Sequence, residues 1–461
     1  MADFNRFKTA FKGDLVTPTD DGYEAAILRW ARNASKRASV VAYVKDADDV
    51  ALAITYARSA GLDIAIHSGG HNPSGASSTE GGLVIDLSRH IKHVNVDTEK
   101  KLAYVGGGAN WGMFDQGTVK HGLAGVAGTV HHTGVGGLVL GGGYGWLSAR
   151  HGLAIDNLVE ATVVTANGSI LKASDKENPD LFWGIRGGGC NFGVVTEFVM
   201  KVYPQRTRIY GGVVIYSPNQ LEGIAKFMDN WWPRATENEG IAIIFARGPD
   251  GSPNVACFVV YNGSEEEGRA AYKPLLDLGP IVDTSKEMDY AELNVITNPL
   301  AERGLNYYFK GALLSRDKPS SDLNIDKYNE IMELTKDKGH KTACVLEYIP
   351  QKHINNVPEG VTPFRRDLPG NIIINCQWKE NEPETAVSAR QVARGVADLF
   401  INEAGYGNYT SDVDALPTQP GSPSLDKAQI LFRENYPRLQ AIKKKYDPDM
   451  IFNKWYNITP A

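Results

Sequence analysis

Up to about residue 206 the apolar positions switch repeatedly between helical spacing and short β-type runs. Helical spacing covers 23–33 and 47–61, and the second stretch puts Val50, Ala53, Ile54 and Ala57 on one face. Residues 39–44 and 62–66 read as strands. Short β-type runs at 82–86, 92–96 and 101–105, separated by polar turns, predict a meander. A helix is expected over 111–121. Residues 158–165 and 169–172 flank Asn167-Gly168 and predict a hairpin. Asn178-Pro179 opens a short helix, with Pro179 suited to the first turn, and a strand follows over 194–203. After Pro204 glycine thins out and longer strands appear at 210–216, 241–247, 255–261, 307–314, 342–349 and 371–377. Helical stretches at 218–232, 265–278 and 325–338 lie between them, which predicts a second domain built on an antiparallel sheet. A final helix is expected over 425–446. The fold class is α+β. The expected division is 1–206 (core about 37–206), 207–410, and a terminal segment 411–461.

Two glycine concentrations interrupt this pattern. The strand at 62–66 runs straight into His67-Ser68-Gly69-Gly70-His71-Asn72. Adjacent glycines let the backbone fold tightly and bring several N–H groups to one point, a concavity suited to an anion such as a pyrophosphate. The plainer reading is a connecting loop that happens to hold a histidine. The second concentration spans 125–146 and mixes glycines with aliphatic and aromatic residues. A flexible linker would be serine-rich and polar; this composition instead predicts backbone packed against something flat and bulky.

Composition narrows the chemistry. The chain has 461 residues, 42% hydrophobic and 22% charged, with a net charge of −6, an ordinary globular balance that argues against a nucleic-acid surface. No apolar run reaches the ~18 residues of a membrane span. The start lacks the apolar core of a signal peptide, which points to a cytoplasmic protein, or to a secreted one whose signal was removed before this numbering. N-x-S/T sequons at Asn33, Asn167, Asn262, Asn408 and Asn457 shift that balance only slightly. Cys190, Cys257, Cys344 and Cys376 have no C-x-x-C spacing, so neither a zinc site nor a disulfide framework is indicated. The histidines form no H-E-x-x-H, and no metal site is expected. The chain also lacks G-x-G-x-x-G and G-x-x-x-x-G-K-[ST], which argues against a Rossmann site and a P-loop.

Four motifs in order resemble the berberine-bridge-enzyme-like branch of the vanillyl-alcohol-oxidase flavoproteins, with their PCMH-type FAD-binding domain. They are Gly69-Gly70-His71, the Gly128–Gly145 segment, Arg186-Gly-Gly-Gly-Cys190-Asn-Phe-Gly-Val-Val-Thr196, and Tyr446-Asp-Pro-Asp449. The resemblance covers nearly the whole chain. It implies a two-part FAD-binding domain, a substrate domain on an antiparallel sheet flanked by helices, and a terminal segment that returns to the flavin. Under it, His71 matches the histidine attached to the flavin 8-methyl group, and Ser68, Gly69, Gly70 and Asn72 match the pyrophosphate loop. Gly128, Thr129, Gly136, Gly137, Tyr144 and Gly145 match the segment lining the flavin, and Val195 matches a position at the adenine end.

Several positions depart from the family. Val130 stands where many relatives carry a second linking cysteine, so no cysteinyl link is possible there. His131 and His132 replace smaller residues, and one of them either faces the flavin or substrate or packs locally. His67 stands where arginine is frequent, Cys190 where glycine is usual, and the terminal asparagine pair is reduced to Asn457, with Trp455 in the other place. Gly405-Tyr406-Gly-Asn408-Tyr409 resembles a segment whose last tyrosine is the base in several members. A phenol of pKa ~10 needs a nearby positive charge for that task, and Lys310 is the expected cation. Tyr308, Glu347, Tyr348 and Gln377 are further pocket candidates. The catalytic candidates are therefore Tyr409, His132 and Glu347. Thr133 occupies the position where oxygen must approach the flavin, and its valine-like shape predicts an open path.

The expected protein is an FAD-linked oxidase, acting on a small alcohol, sugar, phenol or alkaloid-like substrate and reducing oxygen to hydrogen peroxide. The alternatives are a dehydrogenase that uses another acceptor and a flavin-binding protein that has lost catalysis.

Overall fold

The computed structural model describes residues 3–380, 382–403, 405–412 and 427–461. Its first part holds a four-stranded sheet in the order Asp14–Val16, Val40–Tyr43, Leu83–Asp86, Ile64–His67. The last three strands pair in parallel, so a crossover is needed, and helix Ala47–Ala60 supplies one. Asp46 caps the start of this helix by accepting from the Asp49 N–H at 3.0 Å, and Gly61 ends it in the left-handed conformation at φ 66°. The expected meander fails at its first strand. Leu83–Asp86 is buried throughout and sits between two parallel neighbours, where continuous apolar sequence belongs. Only Val94–Asp97 and Leu102–Gly106 pair antiparallel, in a five-stranded sheet completed by Val194–Lys201, Leu158–Val164 and Ile170–Ser174.

The helix expected over 23–33 is also broken. Tyr23–Ile27 is helical, Leu28 is extended, and Arg32–Ala34 forms a separate turn. The cause is a long-range tie: the Trp30 N–H donates to the Gly70 carbonyl at 3.1 Å, which draws Trp30 out of helical geometry and against the glycine loop.

The second part is an eight-stranded antiparallel sheet. Its main path runs Val282–Asp283, Arg208–Tyr216, Pro253–Tyr261, Glu239–Arg247, Lys341–Tyr348, Asn371–Trp378, Asn306–Leu313, and Lys286–Asp289 also pairs with Arg208–Tyr216. One face carries Ile241, Ile243, Phe245, Leu346, Ile372 and Ile374, which pack with helices Leu221–Trp231, Ile325–Leu334 and Pro383–Ala397. The other face turns toward the glycine-rich part. The helix expected over 265–278 divides at Tyr272 into Glu265–Ala271 and Lys273–Leu276, with Pro274 starting the second.

The expected helix at 425–446 begins outside the described residues. Its described part divides into Lys427–Phe432, a turn with Arg433 at φ 45°, and Tyr436–Tyr446. The terminus then folds back onto the first part. The Lys443 ammonium, fully buried, bonds the Asp447 carboxylate at 2.6 Å, the Phe452 carbonyl at 2.7 Å and the Asn191 carbonyl at 2.8 Å. Asn191 accepts the Ile458 N–H at 3.1 Å and donates to the Trp455 carbonyl at 3.0 Å. Among the described residues no helix is long and apolar enough to cross a membrane.

Candidate active site

A cavity runs between the glycine-rich part and the open face of the large sheet, and glycines at 69, 70, 107, 134, 136, 137, 189 and 193 are part of its near wall. The loop carrying Gly69 and the loop carrying Gly134 press together so closely that a Cβ on either would strike the backbone of the other. Only glycine permits that approach. At Gly70 the φ of 65° adds a second requirement for glycine. Gly137 differs from these, because a Cβ there would meet nothing within 4 Å and would point into open space. Asn72 braces the turn by accepting from the Ser74 N–H at 2.9 Å and from the Ser74 hydroxyl.

His67 ends its strand beside Asp86, with Nδ1 2.6 Å from Asp86 Oδ2. Burial works to raise the Asp86 pKa, but His67 and the Ser88 hydrogen bonds outweigh it and keep the carboxyl below its usual range. The His71 ring lies in the cavity wall, stacked on Trp30 at 4.0 Å and 12°. Trp30 stacks in turn on Tyr307 at 3.9 Å and donates from Nε1 to the Ala301 carbonyl at 2.8 Å. His71 Nε2 meets His132 Nδ1 at 3.2 Å. Burial above all, helped by His132 and Arg303, holds the His71 pKa well below its ordinary 6.5, so the ring is neutral.

The opposite wall comes from the open sheet face. Ala242, Ile244, Phe258, Val345, Glu347, Ile373, Asn375 and Phe309 all reach the cavity. The register explains the set, because Ala242 lies opposite both Phe258 and Glu347, Val345 opposite Ile373, and Phe309 opposite Asn375. Glu347 is buried. Its Oε1 accepts from the Tyr409 hydroxyl at 3.1 Å, and its Oε2 has no partner. Burial raises its pKa to about 8 against the lowering effect of that bond. The Tyr409 pKa stands well above 10, first from burial and then from the Glu347 charge. Asn375 donates to the Leu300 carbonyl, and its Oδ1 lacks a partner. Tyr144 accepts from Gln351 Nε2 at 3.0 Å, and Tyr406 accepts from the Gly143 N–H at 3.3 Å.

The FAD binding domain model matches residues 38–174, and the model described as Berberine and berberine like matches 406–459. The chain is 32% identical to the FAD-linked oxidoreductase pgmH of Aspergillus terreus, across all of this chain and 96% of that protein. It belongs to the berberine-bridge-enzyme-like FAD-linked oxidoreductases. It is also 29% identical to (R)-6-hydroxynicotine oxidase of Paenarthrobacter nicotinovorans, over 98% of this chain and 97% of that one. The crystal structure of 6-hydroxy-D-nicotine oxidase from Arthrobacter nicotinovorans superposes with a TM-score of 0.86 at 27% identity, covering 98% and 99% of the two chains. This oxidoreductase therefore uses FAD, and its cavity suits that group. The Ser68 and Ser77 hydroxyls are buried at the wall without partners, and Gly137 leaves its side of the wall clear.

Of the residues singled out in the sequence, Ser68, Gly69, Gly70, His71, Asn72, Thr129, Thr133, Gly136, Gly137, Tyr144, Val195, Glu347 and Tyr409 line the cavity. Gly128 and Gly145 do not. A Cβ on Gly128 would meet Leu138 and Trp111, and one on Gly145 would meet the Ala127 carbonyl, so both serve packing behind the wall. His132 stands behind His71 instead of at the wall, and His131 is turned to Asn298 Oδ1 at 2.9 Å. Asn457 is exposed, while Trp455 lines the cavity and packs over Gly189, the reverse of the expected order.

Lys310, Tyr308 and Tyr348 belong to the helix-covered side of the sheet. Strand alternation puts Phe309 and Glu347 in the cavity in their place. No lysine or arginine lines the described cavity, so Tyr409 has no cationic neighbour there. Gln377 shares the face of Asn375 but lies beyond the cavity. Sequence reasoning passed over Trp30, Phe309, Asn375 and Trp146. Trp30 alone left a signal, an aromatic seven residues after Tyr23 on the apolar face that Ala26 and Ile27 share.

Proposed function

We propose that this oxidoreductase is an oxidase, with Glu347 as the base and His71 as the covalent anchor of the flavin. The observation that carries the reading is the Glu347 carboxylate at the cavity wall, with one oxygen held by the Tyr409 hydroxyl and the other buried without a partner. A base works best with a pKa near the working pH, and burial has raised this carboxyl to about 8. Glu347 Oε2 takes the proton from a substrate O–H or N–H, which makes the adjacent carbon a better hydride donor. Bound FAD supplies the hydride acceptor, and dioxygen ends as hydrogen peroxide. Tyr409 keeps its own proton and fixes the rotamer of Glu347. Asn375 Oδ1 offers a second acceptor for a substrate donor group.

Ala242, Ile244, Phe258, Phe309, Val345 and Ile373 exclude water from the space between these groups. With no lysine or arginine at the described wall, the substrate is neutral or cationic. It has an apolar body and carries an amine, phenol or alcohol donor. His71, neutral and held flat against Trp30 at the cavity wall, is the residue for a single histidyl link. Val130 excludes a cysteinyl one.

The test is a panel of amines, phenols, alcohols and sugars assayed for peroxide, with and without an artificial electron acceptor. Peroxide from an apolar amine, phenol or alcohol is expected. Turnover only with the artificial acceptor would replace the oxidase reading with the dehydrogenase one. For the anchor, wild-type protein precipitated in acid should stay yellow and the His71→Ala pellet should be colourless; a colourless wild-type pellet rules the link out.

A further inference from the structure

Two buried side chains on the sheet wall of the cavity keep acceptor oxygens that have no partner among the described residues, Glu347 Oε2 and Asn375 Oδ1. Asn375 is 5% exposed, and its Nδ2 donates to the carbonyl of Leu300, a residue that also lines the cavity. Turning the carboxamide over would set oxygen against oxygen, so Oδ1 stays the unused acceptor. Leu300 is itself held in place. Its N–H donates to the Thr297 carbonyl at 3.0 Å, and the Thr297 hydroxyl donates to the Thr129 carbonyl at 2.6 Å.

Strand register sets the distance between the two acceptors. Glu347 lies opposite Asn371, Val345 opposite Ile373, and Ala343 opposite Asn375. Asn375 is therefore on the same face as Glu347, four residues along the neighbouring strand from its level. With a rise of ~3.4 Å per residue and ~4.8 Å between strands, the two Cα atoms stand ~14 Å apart. The level between them carries Val345 and Ile373, with Ile244 opposite Val345, while Phe309 faces Asn375. The wall thus reads acceptor, apolar floor, acceptor.

We propose that the cavity takes an elongated substrate, about as long as two linked aromatic rings, whose far end carries a hydrogen-bond donor for Asn375. The inference rests on the reading of Glu347 as the base. One end of the substrate gives its O–H or N–H proton to Glu347 and a hydride from the adjacent carbon to bound FAD, and becomes a carbonyl or an imine. Asn375 holds the other end. Donors on the order of 10 Å apart reach both side chains once each leans along the apolar floor. A single ring is too short. A long substrate without the far donor leaves Asn375 Oδ1 buried and unpaired, and a site of this kind turns that loss into discrimination.

The experiment measures anaerobic reduction of the FAD-loaded enzyme by a series of primary alcohols and the matching amines. The series contains benzyl alcohol, para-hydroxybenzyl alcohol, a biphenyl with a hydroxymethyl group at one end, the same biphenyl with a phenolic hydroxyl at the other end, and the methyl ether of that phenol. The biphenyl with the far hydroxyl should half-saturate reduction at a concentration at least ~10-fold below those of the parent and the ether, with limiting rates within a few-fold. Para-hydroxybenzyl alcohol should gain no such advantage over benzyl alcohol. Asn375→Leu, close in volume but without an acceptor, should bring the three biphenyls to within about threefold of one another. A wild type that is reduced by no biphenyl, or that does not favour the far hydroxyl, overturns the proposal without reference to any variant. An Asn375→Leu enzyme that keeps the preference overturns it as well. Reduction of Glu347→Gln as fast as wild type removes the base reading instead and leaves the preference for the far hydroxyl standing, so the two failures are told apart.

Discussion

Glu347 is the residue on which the proposed chemistry turns, and its environment fixes a pH signature. The carboxyl is raised to about 8 by burial, so it is protonated at neutral pH and becomes the free base only as pH climbs through that value. Anaerobic reduction by substrate should therefore rise with pH and level off above about 8. Glu347→Gln should remove the inflection and slow reduction by ~10²–10⁴-fold, with FAD content unchanged. Stopped-flow absorbance reads both effects. Tyr409→Phe separates the two members of the pair. It deletes the hydroxyl that lowers the Glu347 pKa, so the inflection should move upward with a smaller loss of rate; a loss as large as that of Glu347→Gln would make Tyr409 the base. Thr133 supports a prediction about oxygen. Its backbone is held by bonds to the Val130 carbonyl and the Trp111 N–H, so its side chain has a fixed origin at the cavity wall. Thr133→Leu adds bulk there and should slow reoxidation by oxygen while sparing reduction by substrate.

The terminal helix Tyr436–Tyr446 matters through one buried cation. Lys443 is fully enclosed, with burial pushing its pKa down against the attraction of Asp447. Its three bonds hold the turn after the helix and the Asn191 loop together. Removing one member of a buried pair leaves the other charge uncompensated, at a cost of ~3–5 kcal/mol. Lys443→Met should lower the melting midpoint and release the terminus, which limited proteolysis near residue 452 would detect. FAD content should fall as well, because the turn held at Phe452 leads directly into Trp455, which lines the cavity. An unchanged melting curve would show that the pair contributes nothing net. The same element shows how far local signals reach. A basic helix end followed by Asp447-Pro448-Asp449 is readable as a stop, but its docking against Asn191 joins residues far apart in the chain.

At the scale of the whole molecule, the two parts meet partly through buried polar groups. Helix Trp111–Val119 offers Asp115 to Asn294 of the second part, with Asn294 Nδ2 donating to Asp115 Oδ2 at 3.0 Å. Asp115 Oδ1 and Asn294 Oδ1 both lack partners, a surplus of acceptors that a proton on the carboxyl relieves. Burial raises the Asp115 pKa from 3.8 to about 7. A raised folded pKa means that the folded state holds the extra proton. The stabilisation is therefore full below about 3.8 and is lost as pH rises through about 7. Asp115→Asn cannot ionise and should melt higher than wild type at pH 8, by on the order of a few kcal/mol at most. The advantage should shrink toward zero near pH 4. A variant less stable than wild type at both pH values would show that the ionised carboxylate is tolerated at this junction.

What the sequence determined by itself is what neighbouring residues decide. Adjacent glycines before His71 permit a tight turn, and the glycine density of 125–146 marks a segment that packs closely against its surroundings. The strands of the large sheet were legible for the same reason, as runs of β-forming residues bounded by turns. Tertiary structure alone decided which face of those strands meets the cavity. Both faces of the large sheet are covered, one by helices and one by the glycine-rich part, so alternation of polarity does not mark the side. That is why Glu347 and Phe309 reach the cavity while Lys310 and Tyr308 do not. The central place of Leu83–Asp86, the exchange of Asn457 for Trp455, and the setting of His71 between Trp30 and His132 have one cause in common. Each is a contact between distant segments, fixed by how strands cross and register, and no local pattern of side chains specifies it.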